Sequence, residues 1–216
     1  MVSLERRNAS RARRTRAAHL GPERRRPLIL DAALEVYVER GYRGTSMQAV
    51  ADAAGVTKPV VYECYPNKDE LLLALLDREE RRLLDAITES LPTNLISDNV
   101  EAVLAAGLTA FLAGAGQAPN SWRVVFDSGW GSGSVVAARI RRVRETVVGQ
   151  LRELVHQYMV AGEVDDIDRK ALVVAELIAS VSEACARMLV LECHPWTAAE
   201  LATYVARLLA RGLRPN

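Results

Sequence analysis

The chain has 216 residues, half of them hydrophobic and a quarter charged, with a formal net charge of +1. That balance suits one or two globular domains with ample core. No apolar run approaches the ~18 residues of a membrane span. No apolar h-region follows the basic start, and the three cysteines (Cys64, Cys185, Cys193) form no CxxC pair, so a membrane protein, a secreted chain and a disulfide framework are all set aside in favour of a reducing cytoplasm.

The small net charge hides an asymmetry. Residues 1–26 carry nine arginines against Glu5 and Glu23, which gives +7 there and −6 over the remainder. A basic arm on an acidic body suggests contact with a polyanion from one end, with a merely solvated tail as the plain alternative. Residues 1–22 show no hydrophobic periodicity and are expected to be a flexible basic arm.

From Glu23 the pattern turns helical: Leu28, Ile29, Ala32, Ala33, Val36 and Tyr37 make one apolar stripe, and Gly41 is expected to end it in the αL conformation. Thr45 and Gln48 read as a T-x-x-Q capping box for a second helix, closed by Gly55. Thr57 is expected to cap a third helix with Pro59 in its first turn. Asn67 and Glu70 form an N-x-x-E box that opens a fourth, running to about Ser90. Helices follow over 99–114, 135–159, 166–191 and 197–211, separated by Gly and Pro joints. No alternating strand pattern of useful length is present, so the expected class is all-α.

Helices 46–54 and 58–65 around a Gly-Val-Thr turn make a helix-turn-helix, whose second helix would enter the major groove of DNA. Val61 and Tyr65 would face the partner helices. Lys58, Pro59, Val60, Tyr62 and Glu63 would face DNA, with Lys58 donating to guanine or phosphate, Val60 and Pro59 touching a thymine methyl and Tyr62 bonding a phosphate. Thr45, Gln48 and Thr57 at helix starts, and Lys68 in the first turn of helix four, are candidate phosphate contacts. Arg24 and Arg25 close the basic arm, which could enter an adjacent minor groove. On spacing alone, two short helices around a glycine turn are equally a structural unit of any helical protein.

The segment TSMQAVADAAGVTKPVVYECYPNKDELLLALL resembles the N-terminal DNA-binding segment of the TetR (tetracycline repressor) family. Val50-Ala51, Ala54-Gly55-Val56, Tyr62, Tyr65, Asn67-Lys68-Asp69 and Leu71 match its pattern, as does Gly41. Pro59 stands where glycine or alanine is common, and Glu63 and Cys64 fall at variable positions that bear on which operator is read. The resemblance covers about residues 24–75. It implies an N-terminal DNA-binding domain (23–70) and a helical ligand-binding and dimerisation domain (71–216). A homodimeric regulator, usually a repressor, is implied, binding a palindromic double-stranded DNA operator and released by a small molecule.

The remaining helices carry no motif. Val174, Leu177, Ile178, Val181, Cys185 and Met188 lie along one face, and Leu201, Val205 and Leu208 along another; they pack either within the chain or, as the resemblance implies, against a second copy. Trp122, Phe126 and Trp130, with Leu104, Leu108, Phe111, Met159 and Met188, either line an apolar ligand cavity or belong to plain core. No metal ligand set, cofactor motif or catalytic constellation is recognisable. Two other readings stay open: a DNA-binding regulator without ligand, controlled by a partner protein, and an all-helical enzyme or carrier.

Overall fold

The computed structural model describes residues 21–90, 99–126, 135–161, 165–191 and 195–212, which form helices and no strand among the described residues. The all-α expectation holds. The expected arm up to residue 20, and Trp130, lie outside the described residues. The chain divides into two compact units: the first runs through Glu80 and includes described residues of 123–138, and the second takes the rest.

The first unit contains α1 (Pro22–Gly44), α2 (Met47–Ala54), α3 (Lys58–Cys64) and most of α4 (Lys68–Glu89). The boundary expected after residue 70 falls inside α4. Ile29, Leu30, Ala32, Ala33, Val36 and Tyr37 are buried on α1, while Leu28 is exposed. The expected stripe is thus corrected by one residue. Leu30 shares a helical face with Ala33 and Tyr37, whereas Leu28 lies in line with exposed Asp31 and Glu35. Met47, Val50 and Ala51 of α2, and Val61 of α3, complete this core with Leu71, Leu72, Leu75 and Leu76 of α4. Helices α1, α2 and α3 all contact one another. At seven residues α3 is too short to hold by itself, so its helicity rests on this packing.

The second unit holds α5 (Val100–Gln117), the start of α6 (Pro119–Phe126), most of α7 (Val135–Ala161), α8 (Ile167–Leu191) and α9 (Ala198–Gly212), with the end of α4. Helix α5 packs against α9 and α8. Val148 and Leu151 of α7 meet Ala175 and Ala179 of α8. Arg144 of α7 forks onto Glu176 and Glu183, both at 3.0 Å, so one guanidinium holds two turns of α8. Asn99 caps α5, its side-chain oxygen accepting from Glu101 and Ala102 amides. At the start of α9, Thr197 and Glu200 form a reciprocal capping box.

Three expectations fail here. Val100–Gln117 is long and apolar enough to cross a membrane by length and composition, contrary to the expectation that no run approaches that length; its apolarity serves contacts with α8 and α9. Residues 119–126, to which no helix was assigned, form α6, with Pro119 as its first residue, where a missing amide costs nothing. And Gly114 does not end α5. The helix continues through it to Gln117, and Gly114 is buried where a Cβ would lie 2.6–2.8 Å from Ile87, including that residue's backbone. This glycine marks a close approach of α5 to α4.

Gly114→Ala is therefore expected to destabilise the fold by about 1–3 kcal/mol, because the neighbouring atom is backbone and has little freedom to move. Gly107→Ala, in the same helix with nothing within 4 Å of the added Cβ, is expected to stabilise by about 0.5–1 kcal/mol. Urea denaturation of both variants checks the pair, and equal effects would contradict the close approach.

Candidate nucleic-acid interface

The site is built from the way the chain leaves α1. Gly41 has φ 66° and ψ −175° and interrupts the helical path. The positive φ is as expected for a glycine, but ψ lies near 180° and not in the αL region, so this is a sharper exit than a C-cap turn. Only glycine adopts it without strain. Past this exit the carbonyls of Gly41 and Tyr42 are met by groups at the starts of the next helices, the Thr45 amide bonding both. The Thr45 hydroxyl donates to the Gly41 carbonyl at 2.8 Å, joined by the Thr45 amide at 3.1 Å. Lys68 Nζ, from the first turn of α4, donates to the Tyr42 carbonyl at 2.8 Å and lies 4.2 Å from the centroid of the Tyr42 ring. Burial lowers the Lys68 pKa from its ordinary value, and nearby Asp69 opposes that shift.

One of the expected phosphate contacts is overturned by this arrangement. Thr45 is fully buried and its hydroxyl is directed inward to Gly41, so it is no phosphate donor. The capping box assigned to Thr45 and Gln48 is one residue out of register. Ser46 is the N-cap of α2 and accepts from the Ala49 amide, while Gln48 reaches forward to Asp52 at 2.9 Å. Ser46 was masked in the sequence by the adjacent Thr45, since both hydroxyls suit a cap. Asn67 does cap α4, accepting from the Glu70 amide at 2.8 Å. Thr57 occupies the N-cap of α3 without a side-chain cap bond.

Helix α3 presents two faces. Val61 and Cys64, with Tyr65 just beyond, are buried. Thr57, Lys58, Pro59, Tyr62 and Glu63 are exposed, and Val60 is half-buried. The expected outward set is therefore brought onto one side of one helix. Cys64 is corrected: it faces the core, where burial raises its thiol pKa, and it is removed from any direct reading of bases. The outer face carries a cation at one end and an anion at the other. Lys58 Nζ lies 5.9 Å from the Tyr62 ring centroid, and Glu63 Oε2 accepts from Arg25 Nη1 at 3.0 Å. Arg25 is thereby directed onto α3, Arg26 lies over the Tyr65 ring, and Arg24 is exposed.

One residue the sequence reading passed over ties α4 to α1. Arg78 donates through Nη1 to Asp31 and the Pro27 carbonyl, through Nη2 to the Leu30 carbonyl, and through Nε to the fully buried Glu79 at 2.7 Å. A buried carboxylate requires such a partner. Nothing in the local pattern around Arg78 signals this tie, because its partners on α1 lie about fifty residues earlier.

In the second unit, Val174, Ile178, Cys185, Leu201 and Val205, expected at a dimer interface, are buried within the chain itself, while Leu177 and Leu208 are about half exposed and Val181 and Met188 intermediate. A side chain already enclosed by its own unit offers little to a second copy, which counts against these five as interface residues. Of the expected pocket residues, Leu108 and Trp122 are buried, and Leu104, Phe111, Phe126, Met159 and Met188 are partly buried.

Helices α1 to α4 thus define a helix-turn-helix unit with an outward second helix. Residues 29–75 match the family described as bacterial regulatory proteins, tetR family. The chain is 33% identical over 140 residues to the HTH-type transcriptional activator FasR of Mycolicibacterium smegmatis, covering 65% of this chain and 63% of that one. It is 42% identical over 65 residues to the HTH-type transcriptional repressor KstR of Mycobacterium tuberculosis, covering 30% and 29% respectively. The matches therefore span less than two thirds of either relative's length. Among solved structures, FadR of Bacillus subtilis in complex with stearoyl-CoA superposes with a TM-score of 0.64 at 20% identity, covering 87% of this chain and 98% of that one. Residues 29–75 of the chain are thus similar to the DNA-binding segment of tetR-family regulators.

The cap assignment has a direct check. Ser46→Ala should cost about 1 kcal/mol of stability, the usual worth of an N-cap. Gln48→Ala, on an exposed surface, should change it by less than about 0.5 kcal/mol. Thermal melts of both variants that reversed this order would restore the T-x-x-Q register.

Proposed function

We propose that the chain is a homodimeric, cytoplasmic transcriptional regulator that reads a palindromic DNA operator with α3 and is controlled by a small lipophilic effector. The observation that carries the reading is the outer face of α3. Its exposed side chains come from a helix whose other side is fully engaged with α1 and α2. A helix of seven residues with no packing duty on one side is suited to a groove about 12 Å wide. Lys58 and Tyr62 are donors for phosphate or base edges, and Pro59 and Val60 are apolar groups for a thymine methyl. Gln48 and Thr57, both exposed, flank that face at the starts of α2 and α3.

Dimerisation is supported by the outer seam of α8. Val173, Leu177, Ser180, Ala184, Arg187 and Leu191 are all exposed and recur in alternating steps of four and three residues. That is the spacing of a helix meant to pack on another helix, with small residues at the centre allowing close approach. On α9, Tyr204 and Leu208 are exposed in the same manner. A two-fold dimer would present two copies of α3 to half-sites about 34–36 Å apart.

Effector control is supported by the apolar, largely half-buried α5 and by the continuity of α4, which begins in the DNA-reading unit and ends in the second. FadR, with the same fold, is described with stearoyl-CoA. A long-chain acyl thioester is accordingly the first effector to test. FasR is an activator and KstR a repressor, and the sign of regulation follows from where the operator lies.

Fluorescence anisotropy of the full-length protein on the duplex upstream of its own gene, against an unrelated duplex, tests the reading. Specific binding in the nanomolar range is expected at physiological salt. Lys58→Ala should reduce the slope of log Kd against log salt by about one if Lys58 contacts a phosphate. Leu177→Glu should abolish the dimer in sedimentation and weaken operator binding with it. Stearoyl-CoA should raise the operator Kd. Equal weak binding to both duplexes, together with a monomer in sedimentation, would contradict the proposal.

A further inference from the structure

We infer that Glu63, held by Arg25, is a base-reading carboxylate that requires an amino-bearing base, cytosine first, at one position of each half-site. The inference rests on the proposal that α3 reads DNA. An acidic side chain on the outer face of such a helix is otherwise a liability, since it approaches two strands of phosphate and is repelled by both. Here it is retained, and a cation is directed onto it. Arg25 Nη1 meets Glu63 Oε2 at 3.0 Å, and the two side chains are 16% and 55% exposed. The guanidinium is thus sheltered against the body of the unit while the carboxylate still faces outward.

The pair does two things for recognition. It offsets the charge of Glu63 locally, which lowers the repulsion from phosphate. It also fixes the rotamer of a flexible side chain, so that less freedom is lost when the carboxylate meets a base. Arg25 is a positioning residue in this scheme, because it acts through Glu63 and is anchored in the first turns of α1.

What Glu63 accepts follows from its chemistry. A carboxylate has only acceptors, so it must meet a donor. In the major groove the donors are the N4 amino group of cytosine and the N6 amino group of adenine, whereas guanine presents O6 and N7 and thymine presents O4 and a methyl. Cytosine is the favoured partner because its amino group stands without an adjacent acceptor, while the adenine amino group sits beside N7, which would repel the second oxygen. Guanine or thymine at that position would leave the carboxylate facing acceptors. At the other end of the same face, Lys58 is a pure donor and takes the opposite preference, so α3 reads a polar pair of contacts in one fixed direction.

The alternative is that the pair is only a strut between α1 and α3. Selection of binding sites from a pool of randomised duplexes, followed by competition binding of full-length wild type, Glu63→Gln, Glu63→Ala and Arg25→Ala, separates the two. Wild type is expected to require cytosine at one symmetric pair of positions, preferring it over guanine by about tenfold or more. Glu63→Ala should lose the preference there and keep it elsewhere. Glu63→Gln, which can both donate and accept, should move toward adenine. Arg25→Ala should weaken the discrimination at that same position. Glu63 is exposed, so its variants are expected to remain folded, and circular dichroism checks that Arg25→Ala, at the sheltered partner, does so as well. If the Glu63 and Arg25 variants lower affinity equally for all four bases, the pair is a strut and the inference is overturned. If wild type itself enriches no sequence, the DNA-reading proposal fails and the inference falls with it.

Discussion

The exit of the chain from α1 at Gly41 is the constraint on which the helix-turn-helix unit depends. A left-turning φ with an extended ψ redirects the backbone within one residue. The carbonyls at this helix end are met by two elements: Thr45, at the entry to α2, bonds that of Gly41 through its hydroxyl and amide and that of Tyr42 through its amide, and Lys68, at the entry to α4, also donates to Tyr42. Three helix ends are thereby fixed to one another by short hydrogen bonds around one glycine. Helix α3, with seven residues and no independent stability, takes its position from α1 and α2, which it contacts. Arg78 adds a second tie between α4 and α1, at the Pro27 to Asp31 turn, so that α4 is fastened at its first turn and again near the end of the first unit.

This arrangement gives the charged residues of the region distinct tasks. Lys68 and Arg78 are engaged with backbone carbonyls of α1, which is structural work. Arg25 is engaged with Glu63 and stands between structure and recognition. Lys58 and Arg24 are exposed. An inventory of basic residues would treat all five as equivalent contributors to a positive patch. Their partners separate them, and Lys68 is the half-buried one, its ammonium against the Tyr42 ring.

Much of this was legible in the sequence. The helix-turn-helix was, because its signals are local: Gly55 in the αL conformation, Pro59 in the first turn of α3 and Asn67 as a cap each act within four residues. What was misjudged depends on contacts distant in sequence. Leu28 is the exception, since its place in line with exposed Asp31 and Glu35 can be read from the helical period. Gly114 looks like a terminator until Ile87 is seen against it. Val174, Ile178 and Cys185 share their periodicity with a seam one residue over, and a stripe wide enough to serve two neighbours gives no hint of which half each neighbour takes. Ser46 and Thr45 are adjacent hydroxyls, and the buried one is identified by the carbonyl it meets.

The central claim, that the Gly41 exit positions α3 for DNA, is tested most directly by operator affinity in Gly41→Ala. Nothing lies within 4 Å of the added Cβ, so the substitution acts only through the backbone conformation, which a residue with a Cβ adopts at a cost of about 1–3 kcal/mol. Anisotropy on the operator should be measured at a temperature where circular dichroism shows the variant still helical and sedimentation shows its assembly unchanged. The account predicts at least about tenfold weaker binding under those conditions, as the chain relaxes and displaces α2 and α3. Wild-type affinity in a folded Gly41→Ala protein would contradict it.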